Sequence, residues 1–180
     1  VWEIWPAPAG GGSVCFVPGA VRSDAESLVK WLARERIAWA FVPTALAEQC
    51  LRVTWPDNAL GVLAVGGDEL HGVPADLGMR LLNGYGPTEN TTFTLCHTIS
   101  ATDTENPSGI PVGRPIRGTV VRVGDGPEDA DRGELLAGGP GVAPGYFNDA
   151  APSTARCVDL DHQPRYPPRA PARPPAARGR

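Results

Sequence analysis

Between Ser13 and Gly84 the chain alternates short apolar runs with stretches of helical period, and that alternation restricts the fold more than any other feature of the sequence. "SVCFVP" (Ser13–Pro18), "IAWAFVP" (Ile37–Pro43), "LGVLAV" (Leu60–Val65) and "MRLLNG" (Met79–Gly84) each read as a strand. "SDAESLVKWLARER" separates the first two. Its Leu28, Trp31 and Leu32 recur at i, i+3 and i+4, and Ser23 with Glu26 forms a capping-box pattern, so it predicts an amphipathic helix. Pro43 suits a helix start, and Thr44–Leu51 reads as a second, short helix. Strand, helix, strand, helix, strand, strand predicts an α/β layer with a largely parallel sheet.

From about Gly109 the texture changes. "GTVVRVGD" and "GELLAGG" are short strands between Gly and Pro turns, without helical period. The expected organisation is an α/β subdomain over residues 1–108, a smaller β-rich subdomain over 109–150, and a tail over 151–180. The tail ends "HQPRYPPRAPARPPAARGR", whose Pro, Arg and Ala cannot bury enough surface to offset ordering entropy; it predicts disorder. A shifted reading frame in GC-rich DNA also generates such text.

Composition excludes some functions. Net charge is −4 and Lys30 is the only lysine, so there is no basic footprint for nucleic acid. Cys15, Cys50, Cys96 and Cys157 form no C-x-x-C pair and lie far in sequence from the histidines, which argues for reduced thiols in a cytoplasmic protein rather than zinc. No apolar run approaches a membrane span, and the "VWEIW" opening lacks Met and any signal-peptide pattern, as if the start lay further upstream. "AGGGSV" (Ala9–Val14) is not followed by Lys and fails the P-loop pattern. "GGPGVAPG" (Gly138–Gly145) fails the dinucleotide pattern at Pro144. No G-x-S-x-G elbow occurs.

One loop holds more chemistry than a turn requires: "NGYGPTENTT", Asn83–Thr92. It follows a strand, where open α/β sheets bind ligands. Tyr85 offers a flat face for a planar ring, Thr88 a donor for an anionic oxygen, and Glu89 a carboxylate for Mg²⁺, which binds through few carboxylates plus substrate phosphates. Ring, anion and metal together suggest a nucleotide; an ordinary loop is the alternative.

"NGYGPTE" resembles the adenine-binding core motif N-x-Y-G-P-T-E of nonribosomal peptide synthetase adenylation domains. "VWEIW" is similar to the tail of that family's F-D-x-S-V-W-E segment, and "GELLAGGPGVAPGYF" to G-E-L-x-x-x-G-x-G-V-A-R-G-Y. "FVPT" and "VGGD" agree as well, so the resemblance spans about Val1 to Asn148. It implies a partial adenylate-forming fold and an ATP-dependent ligase that converts an amino acid to its aminoacyl adenylate. The acyl group then passes to the 4′-phosphopantetheine thiol of a carrier domain, with peptidyl carrier and condensation domains as partners. By the resemblance, Asn83 would hydrogen-bond the adenine amino group and Tyr85 would stack on the base. Gly86 and Pro87 would shape the turn, Thr88 would contact the α-phosphate, and Glu89 would help bind Mg²⁺. An amino-acid pocket would be lined by Trp2, Phe41, Leu63, Val65, Gly84, Thr92 and Phe93. With only the Thr92 hydroxyl polar among them, a charged substrate would leave an unpaired buried charge, so a neutral or aliphatic amino acid is expected. Read without the resemblance, Trp2, Phe41 and Leu63 are plain core.

The chain departs from the family's pattern in several places. The phosphate loop T-S-G-S-T-G-x-P-K-G, the Asp before V-W-E, the Y-R-T-G-D segment and the C-terminal lobe with its catalytic Lys are not in this sequence. "RCVDL" (Arg156–Leu160) only faintly echoes the ribose segment, Lys30 sits on a predicted helix, and Pro144 replaces the expected Arg. Loss of family text after about Ala150 fits a frameshift or a gene fragment, and these residues by themselves are expected to be inactive. A related acyl-CoA ligase shares the Tyr-Gly-x-Thr-Glu core; Asn83, Pro87 and the "VWE" opening favour the synthetase. A non-catalytic remnant is the other alternative.

Overall fold

A computed structural model describes residues 3–57, 60–74, 76–106, 109–124, 132–146, 158–160 and 163–166. The chain divides into two compact units, the first of residues 1–83 and 97–111, the second of 84–96 and 112–180. The grouping of Gly84–Cys96 with the second unit has no counterpart in the sequence reading.

In the first unit, α1 (Pro6–Ala9) is a single turn, and α2 (Ala25–Arg34) is the main helix. The N-cap of α2 is Asp24, not Ser23: its carboxylate accepts from the Ser27 N–H at 2.8 Å, and the Ser27 side chain, then this N–H, hold the acid below its ordinary range. Glu26 sits in the first turn and Arg34 in the last, as the helix dipole favours. Leu28, Val29, Trp31 and Leu32 form the buried stripe. The helix ends in a Schellman arrangement, with Ile37 N–H on the Leu32 carbonyl and Arg36 N–H on that of Ala33. Arg36 takes φ 54°, where glycine would be unstrained.

Strand β1 (Trp39–Pro43) pairs in parallel with β2 (Val62–Gly66), with α3 (Thr44–Cys50) following β1 directly. The β2 strand is buried along Leu63–Gly66, as expected of a parallel strand covered on both faces. Next to it lies β3 (Arg80–Tyr85), whose Arg80 N–H donates to the Gly61 carbonyl. These elements enclose a core of α2, α3, β2 and β3 side chains that includes Leu63, Val65 and Leu81. Cys50 belongs to it, and burial, with the Asp24 carboxylate adding, pushes its thiol to about 11. Helix α4 (Ala101–Thr104) closes the unit. The Asp103 carboxylate accepts from the Ser100 N–H and hydroxyl, both at 2.7 Å, and lies 2.9 Å from His97 Nε2.

"SVCFVP" forms no strand: Cys15 is exposed and Phe16 is 79% exposed. An apolar run becomes a strand only where a neighbour completes its ladder, and no described strand does so here.

In the second unit, the end of β3 meets the start of β4 (Leu95–Thr98), with Thr94 N–H donating to the Tyr85 carbonyl at 2.7 Å. Next, β5 (Arg114–Pro115) pairs antiparallel with β4. A separate sheet has the order β6 (Val120–Val123), β7 (Leu135–Gly138), β9 (Gln163–Tyr166), β8 (Val158–Leu160), all antiparallel. β8 and β9 fall inside the tail expected to be without order. Their pairing to each other and of β9 to β7 supplies the ladder that composition could not reveal. The rest of the tail lies outside the described residues. No described helix is long and apolar enough to cross a membrane.

Candidate nucleotide and amino-acid site

The residues expected from the sequence to bind ligand fall in both units. In the first, Asn83 is 3% exposed near the carboxyl end of β3. Its Nδ2 donates to the Pro111 carbonyl at 3.0 Å. A carbonyl can only accept, so this contact fixes which end of the amide is which. No described residue donates to Asn83 Oδ1, and that atom is not among the sealed polar atoms without a partner. An amide oxygen can accept an incoming N–H.

The register of β1 on β2 sorts the pocket residues of this unit. Phe41 lies opposite Ala64, whereas Leu63 and Val65 lie opposite Ala40 and Val42. Paired residues share a face and successive residues alternate, so Phe41 and Leu63 point to opposite sides of the sheet. Leu63 and Val65 belong to the main hydrophobic cluster, with Ala40 packed against it; Phe41 and Ala64 lie outside that cluster, although Ala64 is wholly buried. Ala64, which the sequence reading did not single out, is the β2 residue on the face of Phe41. A strand buried on both sides gives no alternation from which that face could be read. Trp2 lies outside the described residues.

In the second unit, Gly84 and Tyr85 finish β3, and Pro87 leads into a 3-10 turn over Thr88–Asn90. Two glycines are required by close approach. A Cβ on Gly84 would fall on the Phe93 ring, and one on Gly86 would strike the Thr92 carbonyl and lie 2.7 Å from Thr94 N. Phe93 thus lies against Gly84, and the Thr92 carbonyl against Gly86. Tyr85 is half-buried, and burial raises its phenol pKa, so the ring stays uncharged at neutral pH.

Thr88 is exposed at the start of the turn and Glu89 is half-buried. The Glu89 carbonyl accepts from Ala143 N–H at 2.7 Å, and its Oε1 accepts from the Tyr146 hydroxyl. Asn90 Nδ2 donates to Thr94 Oγ1 at 2.9 Å. Thr91 and Thr92 have φ 60° and 119°, uncommon for β-branched residues and the kind of strain that accumulates at ligand sites. Among the described residues no three His, Cys, Asp or Glu side chains gather as a metal cluster. Glu89 is a single carboxylate, which suits Mg²⁺ only where phosphate oxygens complete the coordination.

Residues 1–147 match the family described as AMP-binding enzyme, and the chain belongs to that family. It is similar to a linear gramicidin synthase of Brevibacillus parabrevis, at 38% identity over 82% of this chain and 3% of that protein. It is also similar to cyclosporin synthetase simA of Tolypocladium inflatum, at 36% identity over 89% of this chain and 1% of that one. Among solved structures, PA1221, an NRPS protein containing adenylation and PCP domains, is 33% identical with a TM-score of 0.69, over 80% of this chain and 32% of its own. The chain therefore spans only a small part of each. The mixed α/β fold with parallel strands matches a portion of such adenylation proteins.

Proposed function

We propose that this chain is part of a nonribosomal peptide synthetase adenylation domain, which activates a neutral amino acid with ATP and delivers it to a carrier-protein thiol. The observation that carries this reading is the pinned amide of Asn83: Pro111 holds its Nδ2, and Oδ1 is presented as an acceptor for the adenine amino group. Tyr85 follows two residues later and supplies an uncharged ring for the base to stack on. Thr88 would contact the α-phosphate, and Glu89 would hold Mg²⁺. Bound ATP supplies an α-phosphorus that the substrate carboxylate attacks, with pyrophosphate as leaving group. The chain's own residues orient the base, donate to the phosphate and balance the metal's charge.

For the amino acid, the reading keeps the residues that the family resemblance implies, Phe41, Leu63 and Val65 together with Gly84, Thr92 and Phe93. None of these side chains is charged, so neutral, aliphatic substrates are favoured. Substrate-dependent pyrophosphate exchange by the full protein tests the reading. Highest turnover with Asp, Glu or Lys would overturn the specificity, and activity only with fatty or aryl acids would assign an acyl-CoA ligase instead. The carrier and condensation partners follow from the same reading.

These residues by themselves provide too little to bind ATP. One stacked base contributes about 1–3 kcal/mol, against roughly 8 kcal/mol for micromolar affinity. The chain as it stands is expected to show no exchange; measurable exchange by the isolated chain would refute that.

A further inference from the structure

The Gly139–Tyr146 segment holds the Thr88–Thr91 turn through three hydrogen bonds. Thr91 Oγ1 donates to the Gly141 carbonyl at 2.6 Å, Ala143 N–H to the Glu89 carbonyl at 2.7 Å, and the Tyr146 hydroxyl to Glu89 Oε1. The approach is close enough that a Cβ on Gly141 would lie 2.9 Å from Asn90 Oδ1. Thr91 is kept in its left-handed conformation where its hydroxyl meets this segment. One bond reaches the backbone of the turn, one its Thr91 side chain, and the third the carboxylate itself.

We propose that Tyr146 is a positioning residue for the metal site: its hydroxyl orients the Glu89 carboxylate toward the Mg²⁺ of the bound nucleotide, while Ala143 holds the backbone of Glu89 itself. The inference rests on the reading of Glu89 as the metal's ligand. A phenol suits the task because it donates one neutral hydrogen bond. It restrains rotation of the carboxylate without cancelling the negative charge that a divalent cation needs, as Lys or Arg would.

The test uses the full protein carrying this chain and three variants, Tyr146→Phe, Glu89→Gln and Thr91→Val. Binding of Mn²⁺ in the presence of ATP is read by electron paramagnetic resonance, alongside the Mg²⁺ dependence of pyrophosphate exchange. Tyr146→Phe is expected to weaken metal affinity about tenfold, with ATP affinity at saturating metal unchanged. Thr91→Val removes a bond to the backbone only and is expected to leave metal affinity within about twofold. Equal losses in both variants, or none in Tyr146→Phe, overturn the proposal by showing a merely structural strap. If Tyr146→Phe does not fold, Tyr146→His, which retains a ring donor, takes its place: metal affinity kept supports the proposal, and a tenfold loss, about the size of a lost outer-shell partner, overturns it. If Glu89→Gln binds Mn²⁺ as the unaltered protein does, the assignment of Glu89 fails first. If Glu89→Gln loses the metal and Tyr146→Phe does not weaken it, only the role of Tyr146 fails.

Discussion

Leu63, Ala64 and Val65 in β2 and Thr94 in the second unit all have 0% exposure, yet their surroundings are held by opposite means. Around β2 the side-chain contacts are apolar: side chains of α2, α3 and β3 fill the space. Around Thr94 the backbone itself is the packing material. Gly86 lets the Thr92 carbonyl and Thr94 N–H approach, Asn90 and Tyr85 bond to Thr94, and two threonines adopt positive φ. The first arrangement tolerates exchange of shape at constant volume; the second fixes particular atoms. Substitutions in the two regions should therefore fail differently.

The largest effect is expected in the core. Leu63→Ala removes a wholly buried side chain and should lower stability by about 2–5 kcal/mol, read as a shift of the urea midpoint, whereas Leu63→Met should cost under about 1.5 kcal/mol. If Leu63 lined an open pocket instead, the alanine variant would lose little stability and alter substrate preference.

In the glycine loop, Gly86→Ala adds one methyl where the nearest backbone atoms leave no room. It should cost about 1–3 kcal/mol as overpacking and abolish exchange activity in the full protein. Normal activity would show that the loop is less tightly set than the core.

A smaller effect should separate polar from apolar support by pH. Burial raises the Asp103 pKa, but the bonds from Ser100 and His97 outweigh it and hold the group below its ordinary 3.8. A depressed carboxylate contributes stability above its unfolded pKa and loses it as pH falls through the folded value. Asp103→Asn should therefore cost about 1 kcal/mol at neutral pH, typical of a helix cap, and nothing once the solution is more acidic than the folded pKa. The Leu63→Ala deficit should show no such dependence.

The smallest effect compares two left-handed residues. Arg36→Gly relieves strain at the end of α2 and should stabilise by up to about 1 kcal/mol. Thr91→Gly relieves similar strain but loses the bond to the Gly141 carbonyl, worth about 0.5–1.5 kcal/mol, so it should gain nothing. Thermal unfolding of the two variants reads the difference.

Strands β1, β2 and β3 and helices α2 and α3 were legible in the sequence because each carries its own period or punctuation. The cap of α2 was misplaced by one residue, since Ser23 and Asp24 are both good caps and only geometry chooses between them. "SVCFVP" misled because a ladder partner is a non-local fact. At the site, the "NGYGPTE" string gave the loop, its place after β3 and its family. It could not give the face of β2, because a strand buried on both sides has no alternation. Nor could it give Tyr146, whose bond to Glu89 spans 57 positions of sequence.

The two thiols of the first unit offer a built-in stopwatch. Cys15 stands in solvent, while Cys50 is 1% exposed with its ionisation displaced to about 11. An alkylating reagent should tag Cys15 at once and reach Cys50 only during transient opening of the helix–sheet core. The ratio of the two tagging rates, followed by mass spectrometry, would time how often that core breathes without a single substitution.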